Sequence, residues 1–234
     1  MNRVEGVRVA GLLTALQYGD SFFPSGAMAF SWGLEALQRD GFVRDMPTLI
    51  EYVDAQLLHR WASCDQGLLS AAYKAAAGDN ALLAVIEIDA LAEAISIVPP
   101  LREGSRRLGR TMASVHGKLG NACAAELLAL IEARHTPGHL AVVQGYIWAK
   151  AGMNALECRA AAAHATCIGA ISAAVRLSIV GHLDAQRALA SLRERLTEVL
   201  ESDAPSLDQL SSCAFAIDIA AMRHAQYHAR LFAN

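Results

Sequence analysis

Between Arg159 and Arg176 the chain runs for sixteen residues without an Asp, Glu, Lys or Arg, and half of those positions are alanine. Crossing a bilayer takes about 20 such residues, so the run falls short of a span and reads as a helix buried in protein. Its small side chains let neighbouring helices approach closely. A buried helix has to be surrounded, and the rest of the chain has the residues to do it. The 46 Ala and 30 Leu are about a third of the 234 residues, whereas Val, Ile and Thr sum to 31. That balance favours side chains that lose little entropy in a helix. The expected fold is therefore all-α, a single-domain helical bundle of roughly eight to ten helices over residues 1–234. Residues 85–88 and 142–143 carry strand propensity but lack the alternating partners that a sheet requires.

Breakers divide the chain into segments. Gly and Pro in residues 19–26 end a first helix that begins near Val7, and a second runs from about Met28 to Arg39 and stops at Gly41. Thr48 and Glu51 have capping-box spacing with Pro47 just outside, opening a long third segment to Gly78. Asp79 and Asn80 can cap the next helix, which Pro99-Pro100 stops by missing amide hydrogens and restriction of the preceding residue. Pro137-Gly138 makes a turn, Asn154 and Glu157 form a second capping-box pattern, and Gly181 closes the alanine-rich helix. Leu189, Leu192, Leu196 and Val199 mark a further helix. Ser206 and Gln209 cap the last one, with the stripe Leu207, Leu210, Ala214, Ile217 and Ala221. No linker or repeat divides the chain.

The formal net charge of −3 removes the basic footprint of a nucleic-acid binder. Five cysteines with no CxxC pair read as free thiols of a reducing compartment, and the N-terminus lacks a secretory pattern, so a cytoplasmic protein without a membrane anchor is expected. There is no P-loop, GxGxxG or GxSxG, so no catalytic residue and no intrinsic cofactor is assigned. His224 and His228 are spaced i,i+4 and could face one metal, but without an HExxH pattern they read as two surface histidines. His164 and Cys167 read as core groups rather than a soft metal pair, and local helix capping accounts for at least one of His135 and His139. The arginines of residues 102–110 read as a solvated helix face.

Read in order, several segments resemble the UreF family of urease accessory proteins. Residues 22–43 look like its proline-glycine loop, with Pro24 and Gly26, followed by a helix bearing Ser31, Gly33, Leu34 and Glu35. Glu103, Ser105, Gly109 and Arg110 keep the spacing of its central arginine element, and His139, Val142 and Gly145 that of its histidine-valine-glycine segment. Residues 173–189 resemble its AVRL element, and Met222, Arg223, His224, Arg230, Leu231 and Phe232 its C-terminus. The sequence departs from the family at Ala141, His182, Ala185 and Ala225.

The resemblance implies a homodimeric, non-enzymatic scaffold that binds the accessory protein UreD (also called UreH), recruits the GTPase UreG and helps load nickel into apo-urease. Nickel and GTP would be handled by those partners. Pro24, Gly26, Glu35, Arg110, His139, Arg223, His224, Arg230, Leu231 and Phe232 would then be partner-binding, with a short docking tail near 223–234. Two large apolar groups so close to the chain end want a partner surface unless their own core takes them. A metal-dependent helical enzyme built on His224 and His228, and a helical interaction module unrelated to urease, are the competing classes.

Overall fold

The computed structural model describes residues 9–233, so the expected helix start near Val7 and the final Asn234 lie outside the described residues. Twelve α-helical segments occur among them, and no strand. They are α1 (Val9–Gly19), α2 (Leu34–Arg39), α3 (Met46–Gln56), α4 (Gln66–Ala75), α5 (Ala81–Ile95), α6 (Pro99–Lys118), α7 (Ala122–Glu132), α8 (Leu140–Lys150), α9 (Ala155–Arg176), α10 (His182–Ser191), α11 (Arg193–Glu201) and α12 (Phe215–His224). A 3-10 turn covers Ala27–Ala29, and a π-helical stretch, Leu57–Asp65, joins α3 to α4.

Helix α9 is the alanine-rich run, and α1, α2, α3, α4, α8, α10 and α11 all touch it. Its ends are longer than the uncharged run because Asn154 and Glu157 form the expected capping box, with bonds of 2.8 and 2.7 Å. At 22 residues it is long and apolar enough to cross a membrane, which the sixteen-residue count had placed short of a span. Half of that window is buried inside the protein, with Ala162, Ala163, Cys167, Ala170 and Ala174 facing core. Helix α8 is buried on nearly every face, from Ala141 to Trp148, which is why residues 142–143 have no helical stripe to read. Residues 85–88 are likewise helical, within α5.

Several boundaries differ from the sequence reading. Helix α5 ends at Ile95, and Pro99-Pro100 do not stop it but form the first turn of α6, where the missing amide hydrogens cost nothing. The helix expected from Met28 starts only at Leu34, because Trp32 and Gly33 both take left-handed backbone angles (φ 53° and 88°). Asp45, not Thr48, is the N-cap of α3: its carboxylate accepts from the Thr48 amide at 3.0 Å, and Thr48 Oγ1 accepts from the Asp45 amide. The alanine-rich helix ends at Arg176, and Gly181 instead opens α10. Ser206 donates to Asp208 and Gln209 in a turn rather than capping a helix, so Leu207 and Leu210 are not on α12.

That non-helical strap has a task. A π-helix leaves its backbone less tightly stacked than an α-helix, and the Ser63 and His59 carbonyls of the π stretch accept from the Ser211 and Cys213 amides at 3.0 and 3.1 Å. The strap therefore closes over the widened turn before α12 begins.

Two substitutions test this packing. A Cβ on Gly145 of α8 would collide with the Leu69 carbonyl of α4, whereas one on Gly169 of α9 meets nothing within 4 Å. Gly145→Ala should cost about 2 kcal/mol through overpacking, which lowers Tm by roughly 4–8 °C in a chain of this size. Gly169→Ala should leave Tm unchanged or raise it, by up to about 1 kcal/mol of helix propensity. Paired thermal melts decide; equal shifts would contradict the close α4–α8 approach.

His116 of α6 supplies a pH test. It is 1% exposed, its ring sits 4.5 Å edge-on to Tyr18 and 5.1 Å from Phe23, and burial pushes its pKa down to about 4. The unfolded chain, with a histidine near 6.5, takes up that proton first, so the stability it contributes is full above about pH 6.5 and lost as pH falls toward 4. Melts between pH 7.5 and 5 should show a smaller acid-side decrease in Tm for His116→Phe than for the native chain.

Candidate partner-binding surface

The left-handed pair Trp32-Gly33 turns the chain sharply into α2, and Gly33 is required twice. Its φ of 88° suits a residue without Cβ, and such an atom would sit 2.9 Å from the Ile217 carbonyl of α12. This close approach sets α12 against α2, and the helix pair brings Glu35 of α2 to His224 at the end of α12. Glu35 Oε2 accepts from His224 Nε2 at 2.6 Å. An ionised carboxylate has only acceptors, so that nitrogen carries the proton; Nδ1 is buried without a partner.

Beyond His224 the chain loops out through exposed His228, Ala229 and Arg230 and returns to the same carboxylate. The Leu231 amide donates to Glu35 Oε1 at 2.8 Å and the Phe232 amide to Oε2 at 3.1 Å. The Ala233 amide donates to the Ala29 carbonyl at 2.8 Å. The Phe232 ring is buried at 4% exposure beneath the Arg176 guanidinium, 4.3 Å from its centroid, and Arg176 also donates to the Met28 carbonyl. One carboxylate thus holds two elements of the chain's end, and one cation covers its aromatic anchor. Burial pushes the Glu35 pKa up, but the two amides and His224 outweigh it and hold the group below the ordinary carboxylate value.

Outward from this clamp the surface is apolar. Phe215, Ile219 and Met222 are exposed along one face of α12 at i, i+4 and i+7 spacing, and Leu231 is half exposed. The rim is basic: Arg223 pairs with Asp40 at 2.7 Å, Arg39 lies over the Tyr227 ring at 4.4 Å, and Arg230 points into solvent.

Of the ten residues singled out by sequence, Glu35, Arg223, His224, Leu231 and Phe232 meet here, with Arg230 close by in the chain. Arg110 is on α6, paired with Glu132 of α7 at 3.2 Å. Pro24 and Gly26 are exposed in the loop before the 3-10 turn. His139 is elsewhere: its Nε2 meets Glu93 of α5 at 2.9 Å and its Nδ1 meets Ser105 of α6 at 3.2 Å. It sits at the N-cap position of α8, but its side chain caps nothing, so the capping account fails for this histidine. Asp89, one turn before Glu93, accepts from the Thr136 hydroxyl and from the Gly138 and His139 amides, pinning that turn into the core.

Several expectations change. His224 is fully buried and α12 ends with it, so His224 and His228 are neither two surface groups nor on one helix face. His164 is exposed while Cys167 is buried, which separates that pair as well. No group of three His, Cys, Asp or Glu able to hold a metal occurs among the described residues. The arginines of α6 are engaged rather than free: Arg102 and Arg106 meet Glu93, and Arg107 lies 5.7 Å from the Phe30 ring centroid. Sequence reasoning missed Asp40, Asp89, Glu93 and Arg176, since each partner is at least nine positions away; only the i,i+4 spacing of Asp89 and Glu93 hinted at a shared face. It also missed the interior between the π stretch, α6 and α8. There two adjoining cavities of about 120 and 90 Å³ share Arg60, Asp65 and Ser105. Burial raises the pKa of Asp65 despite the nearby Arg60 and His139.

The tail's two apolar groups therefore have opposite fates, Phe232 in the core and Leu231 outside. Phe232→Ala should destabilise the isolated protein by about 3 kcal/mol, while Leu231→Ala should stay within about 0.5 kcal/mol of native. Denaturant melts of the two variants make the comparison, and equal stabilities would refute the docked tail.

Comparison with known proteins covers most of the chain. The sequence profile of the UreF family matches residues 43–193. A urease accessory protein UreF of Yersinia enterocolitica is 30% identical over 231 residues, covering 97% of this chain and all of the relative. One of Trichodesmium erythraeum is 29% identical, covering 95% and 96% of the two chains. One of Actinobacillus pleuropneumoniae serotype 5b is 28% identical, covering 91% and 94%. A profile match over most of the chain, together with relatives aligned over nearly its whole length, settles the family: this chain belongs to the UreF family.

Proposed function

We propose that this chain is a non-enzymatic accessory protein of urease maturation, working in the cytoplasm as a homodimeric scaffold. It binds a UreD (UreH) partner and brings the GTPase UreG to apo-urease, so that nickel, the cargo, is inserted by the assembled complex. Support comes first from the relatives, which carry the name urease accessory protein at close to full-length coverage. The observation that carries the partner-binding part is the exposed apolar face of α12, Phe215, Ile219 and Met222. An apolar strip with a basic rim has the layout of an interface core and its polar surround. Its complement is an apolar patch edged by acidic groups, and the UreD-like partner is assigned to it.

The test is capture. The tagged chain, coexpressed with the UreD-like protein of the same organism, should retain it through gel filtration. Ile219→Asp with Met222→Asp should weaken capture by at least about tenfold, as loss of a central apolar contact does, with Tm unmoved because both side chains face water. Undiminished capture by the double variant would remove α12 from the interface, and failure of the native chain to retain the partner would count against the assignment itself.

A further inference from the structure

Two charged side chains of the π stretch take no part in the polar networks that fasten the rest of the chain. Each turn of a π-helix closes between residues i and i+5, so Arg60 and Asp65 come round to the same side of Leu57–Asp65. In an α-helix, at about 3.6 residues per turn, the same spacing would part them. Arg60 Nε lies 3.6 Å from Asp65 Oδ2, an ion pair too long to be a hydrogen bond. Among the described residues neither head group has a hydrogen-bond partner, although a guanidinium carries several donors and a carboxylate several acceptor sites.

Both side chains line the adjoining cavities of about 120 and 90 Å³, and the guanidinium lies 5.6 Å from the Trp32 ring centroid. Away from the pair the larger cavity is apolar, walled by Trp61, Leu108, Met112 and Ile168. Exposed Asp20 and Ser21 line it too, so it opens to solvent at the loop after α1. One water needs roughly 10–15 Å³ on the same measure, which leaves room for a molecule of several heavy atoms.

The pair also decides what charge such a molecule can carry. An anion drawn to Arg60 would meet Asp65 beside it and Asp218 on the wall of the smaller cavity. A cation drawn to Asp65 would meet Arg60. Either leaves a partly buried charge poorly matched, which is costly away from water. A neutral planar amide avoids both costs, because its carbonyl accepts from the guanidinium while its N–H donates to the carboxylate. We infer that this cavity binds a small neutral carboxamide with an apolar body, its amide read by Arg60 and Asp65 and its body held by Trp61, Leu108 and Met112. The site is separate from the α12 face, and nothing in it depends on the proposed partner.

Benzamide, benzoate, benzamidinium and toluene share one shape and differ in charge and polarity, so their titration by NMR against the full chain near neutral pH is the test. Benzamide should bind with a Kd of about 1 mM or below, as a well-seated fragment does, and at least about tenfold more tightly than the other three. Asp65→Asn keeps the side-chain shape but leaves Arg60 without its neighbour's charge, and should move the preference at least tenfold toward benzoate. Gly169 of α9 also lines the cavity, and a Cβ there meets nothing within 4 Å. Gly169→Leu should therefore fill the space, keep both charges and abolish benzamide binding; it keeps the test open if Asp65→Asn folds poorly. The inference falls if no probe binds, or if benzoate, benzamidinium or toluene equals benzamide in the native chain. It falls equally if Gly169→Leu binds benzamide undiminished, or if a folded Asp65→Asn keeps the native preference.

Discussion

A single carboxylate joins the two ends of this fold. Glu35 reaches His224, Leu231 and Phe232 only because Trp32 and Gly33 bend the chain left-handedly ahead of α2, and because Gly33 lets α12 lie against the bend. The carboxylate is worth most in that half-buried place, where each amide bond to a charged acceptor is stronger than a neutral one and solvent competes less. Without it His224 would be a buried imidazole with neither nitrogen satisfied, a costly arrangement.

A second polar network does for the middle of the chain what Glu35 does for its ends. Asp89 and Glu93, one helical turn apart on α5, hold the turn at residues 136–139 and the arginines of α6. Burial raises the Glu93 pKa, but Arg106 and His139 reverse the effect and keep it below the usual carboxylate range. Both networks use acids to fasten backbone amides or histidines in irregular segments, leaving the helices to be held by alanine-lined packing around α9.

Much of the fold was legible because it rests on local signals. The uncharged run announced the central helix, Asn154 and Glu157 its cap, and Pro99-Pro100 a boundary. Misreadings fell where tertiary contacts override local preference. Residues 28–33 look helical by composition, yet Trp32 and Gly33 take the left-handed turn against which α12 packs. Ser206 and Gln209 have cap spacing, but residues 211–213 are drawn onto the carbonyls of the π stretch instead. The site was half legible. Family resemblance pointed to Glu35, His224, Leu231 and Phe232 as separate positions. Their convergence spans up to 197 residues of sequence, which no spacing rule can reveal. The same blindness made His224 look like a surface group, since only the fold supplies its carboxylate.

That long separation also has a consequence for biosynthesis. At about 5–20 residues per second, roughly 10–40 s pass between the emergence of Glu35 and that of Phe232. Through that interval α2 and the central helices can collapse on one another, while the carboxylate meant for the tail faces only water. A truncated product would bury most of the same core and still lack the clamp. A surface that depends on residues 231–233 is therefore withheld by every shorter nascent chain and displayed only once those residues have emerged.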